Sequence, residues 1–159
     1  MTEDARFEDG GETSVRLMAL DADDLAVISA LAQDAVFPIT EMSWQPGKRR
    51  FALLINRFRW EDVEKAALRR RPVERVQSVL AVSDVLKVQS QGVDRQEKDL
   101  VLSLLSIAFE PGEDGTGRVV LTLAGDGAIA LDVEALDVTL QDVTRPYLAP
   151  SRKTPRHPE

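Results

Sequence analysis

Only one segment of this chain carries a clear helical period, while nearly every other apolar stretch alternates with period two. The helical segment is Asp21–Asp34, DADDLAVISALAQD. Asp21 suits an N-cap, and Asp23 and Asp24 put negative charge in the first turn, where the helix dipole favours it. Leu25, Ile28, Leu31 and Ala32 recur on one face at helical spacing. The rest reads as strands. Val15–Leu20 is a short apolar run. In Ala35–Trp44, Phe37 and Ile39 lie on one face and Met42 and Trp44 on the other. Gln45-Pro46-Gly47-Lys48 has the pattern of a type II turn. Phe51, Leu53 and Ile55 then return, which makes a hairpin. The large apolar residues change parity near Asn56, to Phe58 and Trp60, so a bulge or strand end is expected there.

The second half continues in the same way. Val76–Val82 and Val85–Gln89 are strands interrupted at Asp84. Leu100–Phe109 is apolar on both faces and suits a central strand covered by the helix. Val119–Ala124 and Ile129–Val133 follow, separated by the turn Gly125-Asp126-Gly127. The parity slips again before Leu136, Val138 and Leu140, so a bulge or corner is expected at Glu134–Ala135. Glu61–Pro72 is weakly amphipathic, and either a short surface helix or a loop fits it.

One helix cannot cover about six to seven strands on both faces, so the sheet must curl or pack on itself. The fold expected is α+β: a curled, mostly antiparallel, partly barrel-like sheet with one principal N-terminal helix. A single domain over 15–144 is expected, with a flexible acidic arm at 1–14, a charged Arg-rich insertion at 61–75, and a flexible basic, Pro-rich tail at 145–159.

Composition narrows the chemistry. The chain has 159 residues, no cysteine and one histidine. That removes disulfides, thiol nucleophiles and Cys-containing metal sites. His157, in the tail, is poorly placed for a catalytic triad or a multi-histidine metal site. No catalytic residue, metal ligand or cofactor is assigned. No apolar run nears the roughly 20 residues of a membrane span, and the acidic start lacks the pattern of a secretory leader. A cytoplasmic setting without membrane contact is expected.

The net charge of −7 is unevenly distributed. Residues 1–47 carry −8, residues 48–75 carry +6, residues 76–144 carry −8, and the tail carries +3. Arg69, Arg70 and Arg71 sit in the basic block and suit an acidic protein surface. Arg57 and Arg59 alternate with Phe58 and Trp60, so arginines face one way and aromatics the other. The arginines suit bidentate contact with a phosphate or carboxylate. The simpler reading puts the aromatics in the core and pairs the arginines with acidic neighbours. Asp94 and Arg95 lie in a loop, where binding residues concentrate. The glycines of 112–117 and 125–127 read as hairpin turns rather than phosphate loops.

Five blocks occur in order: LMALDADDLAVISALAQDAV, RRFALLINRFRWE, VQSQGVDR, LSLLSIAFEPGE and GAIALDVEALDV. In this the chain resembles DUF2948, a family of uncharacterised alphaproteobacterial proteins, over roughly residues 15–143. The resemblance implies a bacterial cytoplasmic protein of one compact domain, with 61–75 a variable insertion, and it brings no catalytic residues. The leading expectation is a non-catalytic interaction or accessory module that uses the Arg-rich surface. The alternative is a small-molecule or phosphate-ligand binder, or a weak enzyme, working through Arg57, Arg59, Asp94 and Arg95. RNA binding through the basic segment is weaker still, because the acidic body repels phosphate.

Overall fold

A computed structural model describes residues 14–70, 72–94 and 96–148. Arg71, Arg95, the arm before Ser14 and the tail beyond 148 lie outside the described residues.

The chain opens with strand β1 (Arg16–Ala19) and helix α1 (Ala22–Ala32). The Asp21 carboxylate accepts the backbone N–H of Asp24 at 2.8 Å, which satisfies one of the orphan donors of the first turn. Leu25, Ile28 and Ala32 are buried and Leu31 is half-buried, so the sequence stripe is the packed face. The helix stops two residues before the expected end. Gln33 turns to ψ 134° and takes the chain out of the helix, and Asp34 follows at φ 65°.

The strands that follow are β2 (Val36–Pro38), β3 (Met42–Gln45) and β4 (Arg50–Phe58), then helix α2 (Val63–Leu68). After α2 come β5 (Arg75–Val82), β6 (Val85–Gln91), β7 (Val101–Pro111), β8 (Gly117–Leu123), β9 (Gly127–Val133) and β10 (Val138–Asp142). All the described pairings are antiparallel. They make one open sheet in the order β1-β10-β5-β4-β2-β7-β8-β9-β6, with β3 paired to β4 beside this path.

The ten strands exceed the six to seven expected because Ala35–Trp44 breaks in two and the interruptions expected at Asp84 and Glu134–Ala135 separate full strands. Ala35–Trp44 breaks after Pro38, which has no N–H to give a ladder, and the chain passes through a 3-10 turn at Ile39–Glu41. That turn changes the phase. Met42 and Trp44 therefore face the same interior as Ile39 instead of the opposite side. The second and third breaks fall at Asp84, which has φ 57°, and at 134–137. These two breaks form a single corner. Ser83 donates its N–H to the Asp137 carbonyl, and Glu134 donates its N–H to the Asp84 carbonyl, both at 2.9 Å. The paired strands β5 and β10 thus turn together into the paired strands β6 and β9. At 134–137 the sequence allowed a bulge or a corner, and the structure has a corner.

The turn after β3 also differs from the type II pattern. Pro46–Lys48 forms a 3-10 turn, and the positive φ, 54°, falls on Arg49 rather than Gly47. The Gly125-Asp126 turn has φ 79° and 67°, both positive, as a tight hairpin requires.

Curling brings both halves of the sheet onto one core, which joins Leu53, Ile55 and Leu80 to Leu104, Leu121 and Leu131. Helix α1 packs chiefly against β7 and β1. The Ser29 hydroxyl accepts the Ile107 N–H at 2.9 Å, close to a register shift in β7. Past the expected domain boundary at 144, Tyr147 still exchanges backbone hydrogen bonds with Arg75.

Candidate functional site

The arginine–aromatic segment does not change parity. Strand β4 pairs with β5 without interruption from Phe51↔Val82 to Phe58↔Arg75, so of the bulge or strand end expected near Asn56 there is no bulge, and the strand ends at Phe58. Arg57 therefore follows Phe51, Leu53 and Ile55 into the protein, and it is 0% exposed. A buried guanidinium needs partners for its donors and a compensating charge. Arg57 has both. Its Nη1 and Nη2 donate to the two oxygens of Glu61 at 2.8 and 2.9 Å. Nη2 also donates to Asp142 at 2.9 Å, Nε to the Ser78 hydroxyl at 3.0 Å, and Nη1 to the Phe58 carbonyl at 3.1 Å. Asp142 in turn accepts the Ser78 hydroxyl and the Val15 N–H. Burial pushes the Arg57 pKa down, but the bonds and charges of Glu61 and Asp142 outweigh it and leave it raised.

Arg59 is 2% exposed and lies in the same charged layer. It donates to Glu74 at 3.0 Å and stands 3.3 Å from Asp62. Phe58 is buried on the other side of the strand, beneath the guanidinium of Arg75 at 3.9 Å. Burial holds the Arg75 pKa below its ordinary value. Trp60 stacks obliquely near Phe58 and donates its indole N–H to the Gln33 carbonyl at 2.8 Å, tying the segment to the end of α1. The simpler sequence reading expected core aromatics with arginines paired to acids. The acids are present, but both arginines are buried along with Phe58.

The other predicted residues lie elsewhere. Arg69 and Arg70 are exposed just after α2, beside Leu68, which is 84% exposed. Asp94 is exposed, and its carboxylate accepts the Gln96 N–H at 3.0 Å in an Asx-type turn. Arg71 and Arg95 fall outside the described residues. Arg57 and Arg59 share one charged layer, and the structure brings neither Asp94 nor Arg69 and Arg70 into it.

The arrangement best suited to a ligand was not singled out from the sequence. The sheet is stitched at the start of β6, where Val85 donates its N–H to the Arg49 carbonyl at 2.8 Å. Beyond that point no ladder joins β6 to β3 or β4 among the described residues. The gap is a cleft of about 320 Å³. Met42 and Trp44 from β3, Phe51 from β4, Val88 from β6 and Ile129 from β9 supply most of its apolar wall. Ile39 completes that wall, and Thr40, Ser90 and Lys98 add polar groups. None of Arg57, Arg59, Asp94, Arg69 or Arg70 is among these lining residues. Such a cavity favours burial of an apolar body with a few polar contacts to orient it. The sequence signal for it was slight: a Trp and a Met alternating with Ser43 and Gln45 in a strand that finds only one neighbour.

Among the described residues no group of three or more His, Asp or Glu side chains is placed to hold a metal ion. No helix among them is long and apolar enough to cross a membrane. No curated protein and no solved structure matches the chain. A family model does match, over residues 15–157, nearly the whole length. The chain belongs to DUF2948, a family described as proteins of unknown function.

Proposed function

We propose that this protein is a non-catalytic binding protein whose site is the cleft between β3 and β6. The observation that carries the reading is the lining itself: six apolar side chains from four separate strands and the turn before β3 converge on about 320 Å³ of open space. Met42, Trp44 and Val88 are only half-buried there, so an occupant would take apolar surface out of water. The buried charges argue in the same direction. Arg57 is already saturated by Glu61, Asp142 and Ser78, so it is poorly suited to hold a phosphate or activate a substrate. The bacterial cytoplasm is the setting we read for it, in keeping with the cysteine-free chain.

A nuclear magnetic resonance titration with neutral apolar probes, 1-octanol and indole, tests this. Saturable shifts should appear at Trp44, Val88 and Ile129. Val88→Phe should fill the cleft and abolish them while preserving the remaining spectrum. Absence of saturable binding by either probe would remove the cleft as a site.

A second reading keeps the Arg-rich surface as a contact for an acidic protein. It is favoured by Leu68, an 84% exposed apolar side chain next to exposed Arg69 and Arg70. Exchanging both arginines for Glu should then abolish co-purification of a defined partner without altering octanol binding.

A further inference from the structure

The cleft has one charged lining residue, Lys98, and no carboxylate. That is unusual placement in a chain of net charge −7. Lys98 is exposed, and no ion pair holds it among the described residues. The hydroxyls of Thr40 and Ser90 line the same space and can donate hydrogen bonds. The apolar wall comes from β3, β4, β6 and β9, while Lys98 comes from the connection between β6 and β7. A ligand with an apolar body and an anionic head would satisfy both regions. A neutral ligand would leave the ammonium unused, and a cationic one would be repelled.

Size and charge narrow the class. At about 320 Å³ the cleft lies at the small end of the range of ligand pockets, which suits a small ligand. A single ammonium with two hydroxyls suits a monoanion. The saturated Arg57 illustrates the denser arrangement this chain uses where charge is concentrated, and the cleft has nothing comparable. Resting on the reading of the cleft as a ligand site, we propose that its ligand is a small amphipathic monocarboxylate. The apolar body lies against Trp44, Phe51 and Ile129, and the carboxylate lies at Lys98.

Isothermal titration with octanoate, 1-octanol and octyltrimethylammonium, on the full chain and on Lys98→Gln and Lys98→Glu, tests it. Octanoate should bind about fivefold more tightly than octanol to the unaltered protein, the scale of an exposed charge pair. Lys98→Gln should erase that advantage, and Lys98→Glu should shift the preference to the cation. The advantage should shrink at high salt. Equal binding of octanoate and octanol would overturn the carboxylate proposal and leave the cleft reading standing. Failure of all three compounds to bind would overturn both. Binding that leaves the Trp44 indole resonance unmoved would also count against both.

Discussion

Arg57 holds a position that the alternation of β4 would otherwise give to an aliphatic side chain. Its environment replaces what an aliphatic residue would supply by packing with a closed set of bonds to Glu61, Asp142 and Ser78. Removing Asp142 leaves Arg57 its two bonds to Glu61 but takes away the acceptor shared by Arg57, Ser78 and the Val15 N–H, a loss of about 1.5–3 kcal/mol. Asp142→Ala should therefore lower stability by about that amount, read as the midpoint of urea unfolding at an unchanged slope. Apolar replacement of both partners often restores stability, so Arg57→Met with Asp142→Leu should recover part of the loss, the rest being the bonds of Ser78 and Glu61. A double variant no better than the single one would mean that the pair is not the source of the effect. The residue pattern alone could not show this. Both parities of Arg57-Phe58-Arg59-Trp60 present plausible inward faces, and the partner that decides between them, Asp142, lies 85 residues away.

At the scale of elements, local chemistry was legible where it was local. The Asp21 cap, the stripe of α1 and the strand β4 follow from neighbouring residues. The breaks were less legible because they depend on what the chain meets next. The interruption at Asp84 was visible in the sequence, but its union with 134–137 into one corner rests on the Ser83 and Glu134 bonds across it. Two glycines illustrate the same distinction. A Cβ on Gly117 would lie 2.5 Å from the Glu110 carbonyl oxygen and 2.5 Å from the Phe109 ring. A Cβ on Gly47 would meet nothing within 4 Å. Gly117→Ala should destabilise by about 1–3 kcal/mol through overpacking against backbone, while Gly47→Ala should change stability by less than about 0.5 kcal/mol. Thermal unfolding of the two variants side by side checks the contrast. Equal melting temperatures would show that β7 and β8 do not approach as closely as described.

The whole molecule redistributes the charge read from the sequence. The +6 block is not all surface. Arg57 and Arg59 are buried, Arg75 lies over Phe58, and Arg49 pairs with Glu134 across the corner. What remains outside is a smaller basic face, which weakens the case for nucleic acid more than it weakens a contact with an acidic protein. The candidate site was least legible of all. Its wall draws on β3, β4, β6 and β9, and no sequence period reports which two edges of a curled sheet fail to meet.

That failure to meet has a dynamic signature. The curled sheet is joined at one corner by the N–H groups of Ser83, Glu134 and Val85, and it is open further along β6. Opening the corner requires the two halves to separate, so those three amides should exchange with solvent only through large-scale unfolding. The N–H groups of β3 and β6 that point into the gap have no ladder partner among the described residues and need no unfolding to exchange. Hydrogen exchange followed residue by residue should separate the two classes by several orders of magnitude. Octanol in the cleft should leave the corner amides slow and, by adding no hydrogen-bond ladder, alter the edge amides only modestly. Corner amides that exchange as fast as those at the free edges would mean that the halves are hinged rather than stitched. The cleft would then be a closing jaw, with a volume that depends on the angle between the halves.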